Sequence, residues 1–214
     1  MTRYDRRSIA LAVALSGLAG YVDAIGFLSA GRFFVSFMSG NSTRLGIAAG
    51  EGRFGYTLVA CGTVFLFVLG VIAGTLSSRW AGPRRKSVVL LIVALLLTLA
   101  AAARTLGQPH LGTALLLLAM GAENAVFQRR GEVSIGLTYM TGTLVRLGQR
   151  LADALRGGPR WAWIPYVLLW LGLVCGATLG ATGYDHLSTF ALWPAAIYAL
   201  GLAALTTRLR PRFR

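Results

Sequence analysis

The chain has 214 residues, of which 56% are hydrophobic and 13% are charged, and its mean hydropathy is +0.65. Charged residues make up about 25% of a typical soluble domain, so this composition excludes an ordinary soluble globular protein and indicates a membrane protein. The net charge of +14 would suggest a nucleic-acid partner for a soluble protein, but no nucleic-acid-binding motif accompanies it. We therefore expect no nucleic-acid partner.

Six apolar runs follow one another along the chain, each close to the about 20 residues that cross a bilayer as a helix. They lie at roughly residues 8–28, 54–78, 87–106, 111–128, 161–183 and 189–207. We predict an all-α, polytopic membrane protein with six transmembrane helices and no separate soluble domain.

Basic residues are distributed unevenly among the connections between these helices. If the N-terminus lies in the cytoplasm, all but four of the 21 Lys and Arg residues fall on the cytoplasmic side. An excess of Lys and Arg in cytoplasmic connections indicates the orientation of a membrane protein. We therefore expect both termini in the cytoplasm, and contact between this basic face and anionic lipid headgroups. The four exceptions are Arg32, Arg44, Arg53 and Arg104.

One sequence pattern occurs twice in the chain. The repeated pairs, at a constant spacing, are residues 38–46 with residues 140–148 and residues 69–74 with residues 171–176. Many membrane transporters are built from two such related halves. We predict a first three-span repeat at residues 1–107 and a second at residues 108–214, integrated in one membrane domain.

Because each repeat contains three spans, the second copy enters the membrane from the opposite side. This arrangement is an inverted-topology repeat, related by a pseudo-two-fold axis in the membrane plane. The alternative is four spans in each half, with residues 31–50 and 133–153 also crossing the membrane. That threading places the basic cluster at residues 79–86 outside, against the rule that the other connections follow. We therefore favour six spans.

The segments at residues 31–50 and 133–153 each show an apolar stretch, a break and then a short helix. Ser39 and Thr141 are residue types that often cap helix N-termini, and Gly40 and Gly142 follow them. A helix that starts there would direct free backbone N–H groups at whatever occupies the break. Two arrangements remain open, a broken or re-entrant helix along a central cavity and an interfacial amphipathic helix.

Two acidic residues lie well inside predicted spans, Asp23 and Glu123. An ionisable residue within a span costs about 2.5–3.5 kcal/mol on insertion scales and is a functional candidate for that reason. Either carboxyl group could carry a coupled proton or bind a cation, and Asn124 is the repeat counterpart of Asp23. The alternatives are a structural hydrogen bond for Asp23 and an ion pair of Glu123 with Arg129 or Arg130.

The polar residues of the two breaks are further candidates for binding. Asn41, with Thr143 in the equivalent position, is a candidate solute ligand because an amide both donates and accepts hydrogen bonds. Its alternative role is a turn or a helix cap. Arg44 and Arg146 also occupy equivalent positions and would attract an anion, or else extend to the lipid headgroups.

Glycines recur at every fourth position in the second and fifth spans. Small residues at this spacing let helix backbones approach closely. We expect these ladders to pack the two repeats against one another or to form a dimer seam. They comprise Gly70 and Gly74 in the second span, and Gly172, Gly176 and Gly180 in the fifth.

Three motifs carry a resemblance to a known family: residues 20–24 (Gly-Tyr-Val-Asp-Ala), residues 37–41 (Phe-Met-Ser-Gly-Asn) and residues 123–125 (Glu-Asn-Ala). In these motifs, and over essentially its whole length, the chain resembles the YoaK-like family of bacterial inner-membrane proteins. The resemblance implies about six spans and a location in the inner membrane. The family often has Gln where this chain has Glu123. Its function is not known, so the resemblance implies no substrate.

Together these features predict a secondary transporter or channel-like protein for a small solute or ion. We expect no enzyme activity, cofactor or metal, because no catalytic or metal-ligand spacing appears. The alternatives are a membrane scaffold or partner subunit, and a lipid-modifying membrane enzyme; a homodimer suits so short a chain. The predicted central site places Ser39, Gly40 and Asn41 against Thr141, Gly142 and Thr143, with Asp23, Glu123 and Asn124 nearby.

Overall fold

The computed structural model describes residues 5–129, 132–133 and 136–208. Eight α-helices make up most of this part of the chain. They are α1 (Arg6–Ser29), α2 (Met38–Gly50), α3 (Phe54–Ala81), α4 (Arg85–Thr105), α5 (Pro109–Glu123), α6 (Met140–Leu155), α7 (Ile164–Leu187) and α8 (Leu192–Arg208). The six apolar helices correspond to the six predicted runs, and α2 and α6 correspond to the two predicted short helices.

The connections between the helices are short. The 3-10 turns Gly82–Arg84 and Ser188–Phe190 precede α4 and α8, and a third, Asn124–Phe127, extends α5. Two-residue strands, Gln128–Arg129 and Glu132–Val133, pair antiparallel. The sequence did not predict this small hairpin, but the prediction of a helical membrane protein is confirmed.

Within the described residues, four helical segments are long and apolar enough to cross a membrane. They are Arg6–Ser29, Phe54–Thr105, Pro109–Phe127 and Ile164–Phe190, and the shorter apolar helix Leu192–Thr207 follows them. The second of these segments contains both α3 and α4. The division into six spans and two inverted repeats stays a prediction.

The long helices present large apolar side chains on their outer faces. Phe65 and Ile72 of α3, Leu95 of α4, Leu179 of α7 and Ile197 of α8 are all exposed. Soluble proteins rarely expose continuous apolar surface on this scale, whereas lipid covers such faces in a membrane. The apolar surface therefore agrees with a membrane location.

Helix α1 packs against α7 through glycine. A Cβ atom added at Gly20 would lie 2.1 Å from the backbone oxygen of Leu173, and one added at Gly176 would lie 2.0 Å from that of Gly17. A larger residue at either position would require a helix backbone to move. Glycine therefore sets the distance between these two helices.

Helices α3 and α5 cross in the same way. A Cβ atom at Gly70 would lie 2.3 Å from the backbone oxygen of Leu118, and one at Gly121 would lie 2.1 Å from that of Phe67. Each of the two crossings joins a helix from the first half of the chain to a helix from the second half. The expectation that the glycine ladders pack the two halves together is confirmed.

Helix α4 packs against both α5 and α8. Leu90 and Leu97 of α4, Leu116 and Met120 of α5, and Leu192 of α8 are fully buried in the core that these helices share. In lipid, such contacts stabilise the fold through close van der Waals packing rather than through exclusion of water.

The two short helices attach to different partners. α2 packs on α3, whereas α6 packs on α7. α2 begins at Met38 and α6 at Met140, and no side chain caps either helix. The prediction that Ser39 and Thr141 are N-caps is therefore wrong, because each residue already lies within the first helical turn.

Candidate functional site

Asp23 ties α1 to the loop that precedes α2. Its Oδ1 atom accepts hydrogen bonds from the backbone N–H groups of Val35, at 2.7 Å, and Ser36, at 2.8 Å. Hydrogen bonds to an ionisable carboxyl group are among the stronger ones in proteins, so this contact fixes the loop beside α1. This bond runs to the loop and not to a neighbouring helix, and a binding role for Asp23 stays a prediction.

Asn41 holds the same loop from the other side. Its side-chain oxygen accepts from the backbone N–H of Phe34 at 3.0 Å, and its Nδ2 donates to the Phe34 carbonyl at 2.7 Å. The same Nδ2 lies 3.3 Å from Thr63 Oγ1 of α3. Asn41 is fully buried, so its amide serves the backbone and α3. This arrangement matches the alternative turn role rather than that of a free solute ligand.

Asn124 makes the equivalent link in the second half. Its Oδ1 accepts from Thr138 Oγ1 at 3.2 Å, and its Nδ2 donates to the carbonyl of Met120 at 2.9 Å. Thr138 stands at the repeat position that corresponds to Ser36. The same connection between a long helix and the following loop is therefore made twice, once by a carboxyl group and once by an amide.

The described residues of the two broken segments lie on helices with different partners, and the predicted central site stays a prediction. Ser39 and Gly40 lie on α2, which packs on α3, while Thr141 and Gly142 lie on α6, which packs on α7. Thr141 and Gly142 are exposed, and Thr143 is the buried residue of α6. The described residues of α2 and α6 do not pack against each other, because each short helix stays beside the long helix that follows it.

Glu123 lies at the end of α5 with no exposed surface. Among the described residues, neither of its carboxyl oxygens has a hydrogen-bond partner. The alternative ion pair with Arg129 or Arg130 involves side chains that fall outside the described part of the chain. A buried carboxylate without a partner is costly, and a bound proton or cation would offset this cost.

An open cavity of about 550 Å³ lies beside the first turns of α2. It combines aromatic walls with hydroxyl and guanidinium groups. A Cβ atom at Gly40 would lie 2.5 Å from the ring of Phe37, so glycine lets this ring cover the first turn of the helix. Three of the predicted site residues, Ser39, Gly40 and Arg44, line this one cavity. Its lining includes Phe34, Phe37, Ser39, Gly40, Arg44 and Tyr56.

Aromatic side chains hold Arg44 at this cavity. Its guanidinium carbon lies 5.3 Å from the ring centre of Phe27 and 5.6 Å from that of Phe34, both within cation–π range. Its Nη1 atom lies 3.4 Å from the hydroxyl oxygen of Tyr56. A guanidinium that contacts two rings is already ordered before any ligand arrives, and the anion-attracting role of Arg44 stays a prediction.

The repeat counterpart of Arg44 has different surroundings. Arg146 is exposed on α6, and an added Cβ atom at Gly142 meets no atom within 4 Å. The packed surroundings of Gly40 and Arg44 therefore have no equivalent at Gly142 and Arg146 among the described residues.

Sequence reasoning missed several residues that complete these contacts. Thr63 and Tyr56 come from α3, and no motif marks them as partners of α2. Arg104 was predicted to lie on the outer side, within the third apolar run, and it is buried at the end of α4, with Nη2 3.3 Å from Thr113 Oγ1. The signal for Arg104 was Gly112 on the next helix, where an added Cβ atom would lie 2.7 Å from the Arg104 side chain.

Comparisons with known proteins agree with a membrane protein. Residues 11–205 match the family described as "Protein of unknown function (DUF1275)". The chain is 40% identical over 206 residues to the UPF0700 transmembrane protein RA0705 of Rhizobium meliloti (strain 1021), covering 96% of this chain and 89% of that protein. It is 28% identical over 144 residues to the UPF0700 transmembrane protein YoaK of Bacillus subtilis (strain 168), covering 64% of each chain. No solved structure matches the chain.

Proposed function

The chain belongs to the DUF1275 family of transmembrane proteins, and we propose that it passes a small solute or ion across the membrane as a secondary transporter or channel-like protein. The observation that carries this proposal is Glu123, a fully buried carboxyl group without a partner among the described residues. Ionisable residues inside membrane spans commonly belong to ion and proton pathways. Glu123 would carry a coupled proton or hold a cation.

The proposed architecture is six spans in two inverted three-span repeats, residues 1–107 and 108–214. Two observations support it. The crossing of α1 with α7 corresponds, under exchange of the repeats, to the crossing of α5 with α3. The links from Asp23 and Asn124 to their following loops correspond in the same way. Transporters with this symmetry alternate access by rocking one repeat against the other.

In this architecture the two short helices belong to opposite ends of a path rather than to one central pocket. Ser39 and Gly40 line a cavity beside α2, and Thr141, Gly142 and Thr143 lie at the start of α6. The solute would meet the first group on one side of the membrane and the second group on the other. Asp23 and Asn124 would fix the loops at the two ends of this path through their hydrogen bonds.

The proposed location is the bacterial inner membrane, with both termini in the cytoplasm. Helix α6 is amphipathic, with Leu144 and Leu151 exposed alongside the basic Arg146 and Arg150. Such a helix suits the interface of a membrane that carries anionic lipids. This pattern supports the interfacial arrangement for α6. We also propose that the chain is not an enzyme and that it forms a homodimer.

A membrane scaffold or partner subunit is the second candidate. The specific observation in its favour is that Asp23 and Asn41 both hydrogen-bond to backbone, and that the glycine ladders serve helix packing. In that case Glu123 would be a local feature of this chain, as the Gln often found in the family suggests.

Proton and ion flux in proteoliposomes tests transport against scaffolding. Purified protein is reconstituted with a trapped pH-sensitive dye, a potassium diffusion potential is imposed, and small ions and metabolites are added in turn. We expect flux above that of protein-free vesicles, lowered at least about tenfold by Glu123→Gln. Asp153→Asn, which removes an exposed carboxylate, should leave the flux unchanged.

The outcomes separate the two parts of the proposal. If the wild-type protein gives no flux under any condition, transport is wrong and the scaffold candidate stands. If flux occurs and Glu123→Gln leaves it unchanged, the coupling role of Glu123 is wrong.

A further inference from the structure

The cavity beside α2 has a charge pattern that the transport proposal does not use. Two arginines line it, Arg44 from α2 and Arg53 from the turn before α3. The guanidinium of Arg53 lies 5.1 Å from the ring centre of Tyr56 and forms an ion pair with Glu51. Both cations therefore lie against aromatic rings at the edge of a single cavity.

Arg44 is held without a counter-ion. The described residues place no carboxylate within ion-pair distance of it, since their ion pairs are Arg53 with Glu51 and Arg150 with Asp153. A guanidinium has five N–H donors in a planar fork, and Arg44 directs only one hydrogen bond, to Tyr56, within this part of the chain. The remaining donors suit an anion with two oxygens.

The rest of the cavity is largely apolar. Phe34, Phe37 and Ile47 line it together with the hydroxyl of Ser39. Binding pockets commonly combine apolar walls with a few polar groups that fix the orientation of the ligand. An oxyanion at the arginines with an apolar group against the phenylalanines would satisfy both parts of this lining.

We propose that this cavity binds a carboxylate or phosphate group that carries an apolar substituent. Arg44 is the principal ligand, Arg53 is the second, and Glu51 competes with the ligand for Arg53. The oxyanion could come from a soluble organic anion or from an anionic lipid headgroup. Anion binding at the two arginines does not require that the protein transports a solute, so either proposal can fail without the other.

Titration of the purified full-length protein in a neutral detergent tests the proposal. The soluble probes are phenyl phosphate and benzoate, with benzyl alcohol as the uncharged control. The lipid probe is dioctanoyl phosphatidylglycerol, with dioctanoylglycerol as its uncharged control. Calorimetry gives the dissociation constants, and the shift in thermal midpoint gives an independent measure of binding.

We expect saturable binding of at least one oxyanion probe and weak or no binding of the uncharged controls. Arg44→Gln should weaken binding at least about tenfold, because it removes a charge-assisted pair of hydrogen bonds. Glu51→Gln should tighten binding, because it releases Arg53. Arg146→Gln, the matched change in the other half, should have no effect. If only the phosphatidylglycerol binds, the oxyanion comes from a lipid headgroup. If phenyl phosphate or benzoate binds, the oxyanion comes from a soluble organic anion.

Three results would overturn the proposal. These are the absence of saturable binding to any oxyanion probe, equal binding of the uncharged controls, and equal losses in Arg44→Gln and Arg146→Gln. Because Arg44 also stacks on two rings, its variant could fail to fold. The exposed residues Arg53 and Glu51 then decide the question, since Arg53→Gln must weaken binding and Glu51→Gln must strengthen it.

Discussion

The polar side chains around α2 divide into those that fix the backbone and those that face an open cavity. Asp23 and Asn41 belong to the first group, because their side chains bond to main-chain atoms of residues 34–36. Ser39 and Arg44 belong to the second group. The sequence predicts all four as site residues. It does not show which of them bond to the backbone and which line a cavity, because that depends on how the preceding loop folds back over α2.

Asn41→Ala should lower the stability of the folded protein. The substitution leaves the partly buried backbone N–H and carbonyl of Phe34 without their side-chain partner, and an unsatisfied group costs about 1–3 kcal/mol when it is fully buried. Thermal unfolding in detergent measures the effect, with Gln149→Ala as a control at an exposed amide of α6. A variant with wild-type stability that no longer binds a solute would instead make Asn41 a solute ligand.

The long helices and their closely packed faces, in contrast, follow largely from the sequence. The apolar runs predict the long helices to within a few residues, and the glycine ladders indicate which faces approach closely. The cavity beside α2 was not predicted, because Arg53 and Tyr56 line it from outside the repeated motif. The starts of both short helices were also missed by two residues, since Phe37 and Tyr139 are the N-cap residues instead of Ser39 and Thr141.

Gly176→Ala should weaken or prevent the packing of α1 on α7. The new Cβ atom would lie 2.0 Å from the backbone oxygen of Gly17, and overpacking of this kind costs about 1–3 kcal/mol or more. Gly62→Ala in α3 is the matched control, because nothing lies within 4 Å of its added Cβ atom and alanine favours a helix. Size-exclusion profiles and thermal midpoints should separate the two variants; equal midpoints would show that glycine does not set this crossing.

At the scale of the whole molecule, the proposal of two related halves rests on contacts that occur twice. Each half contributes one long helix to each of the two glycine-mediated crossings, and in each half an Asp or Asn bonds to the loop before a short helix. The halves differ where function is proposed: the cavity with Arg44 lies beside α2, and the buried Glu123 lies on α5. An inverted arrangement would place α2 and α6 on opposite sides of the membrane.

Labelling of single cysteines tests that inversion most directly. In a chain with Cys61→Ala and Cys175→Ala, both at exposed positions, Ile47→Cys on α2 is compared with Gln149→Cys, its repeat counterpart on α6. Each protein is treated with a membrane-impermeant maleimide in right-side-out and in inside-out membrane vesicles. We predict that Ile47→Cys is labelled only in right-side-out vesicles and Gln149→Cys only in inside-out vesicles. Labelling of both cysteines from the same side would contradict the inverted repeat.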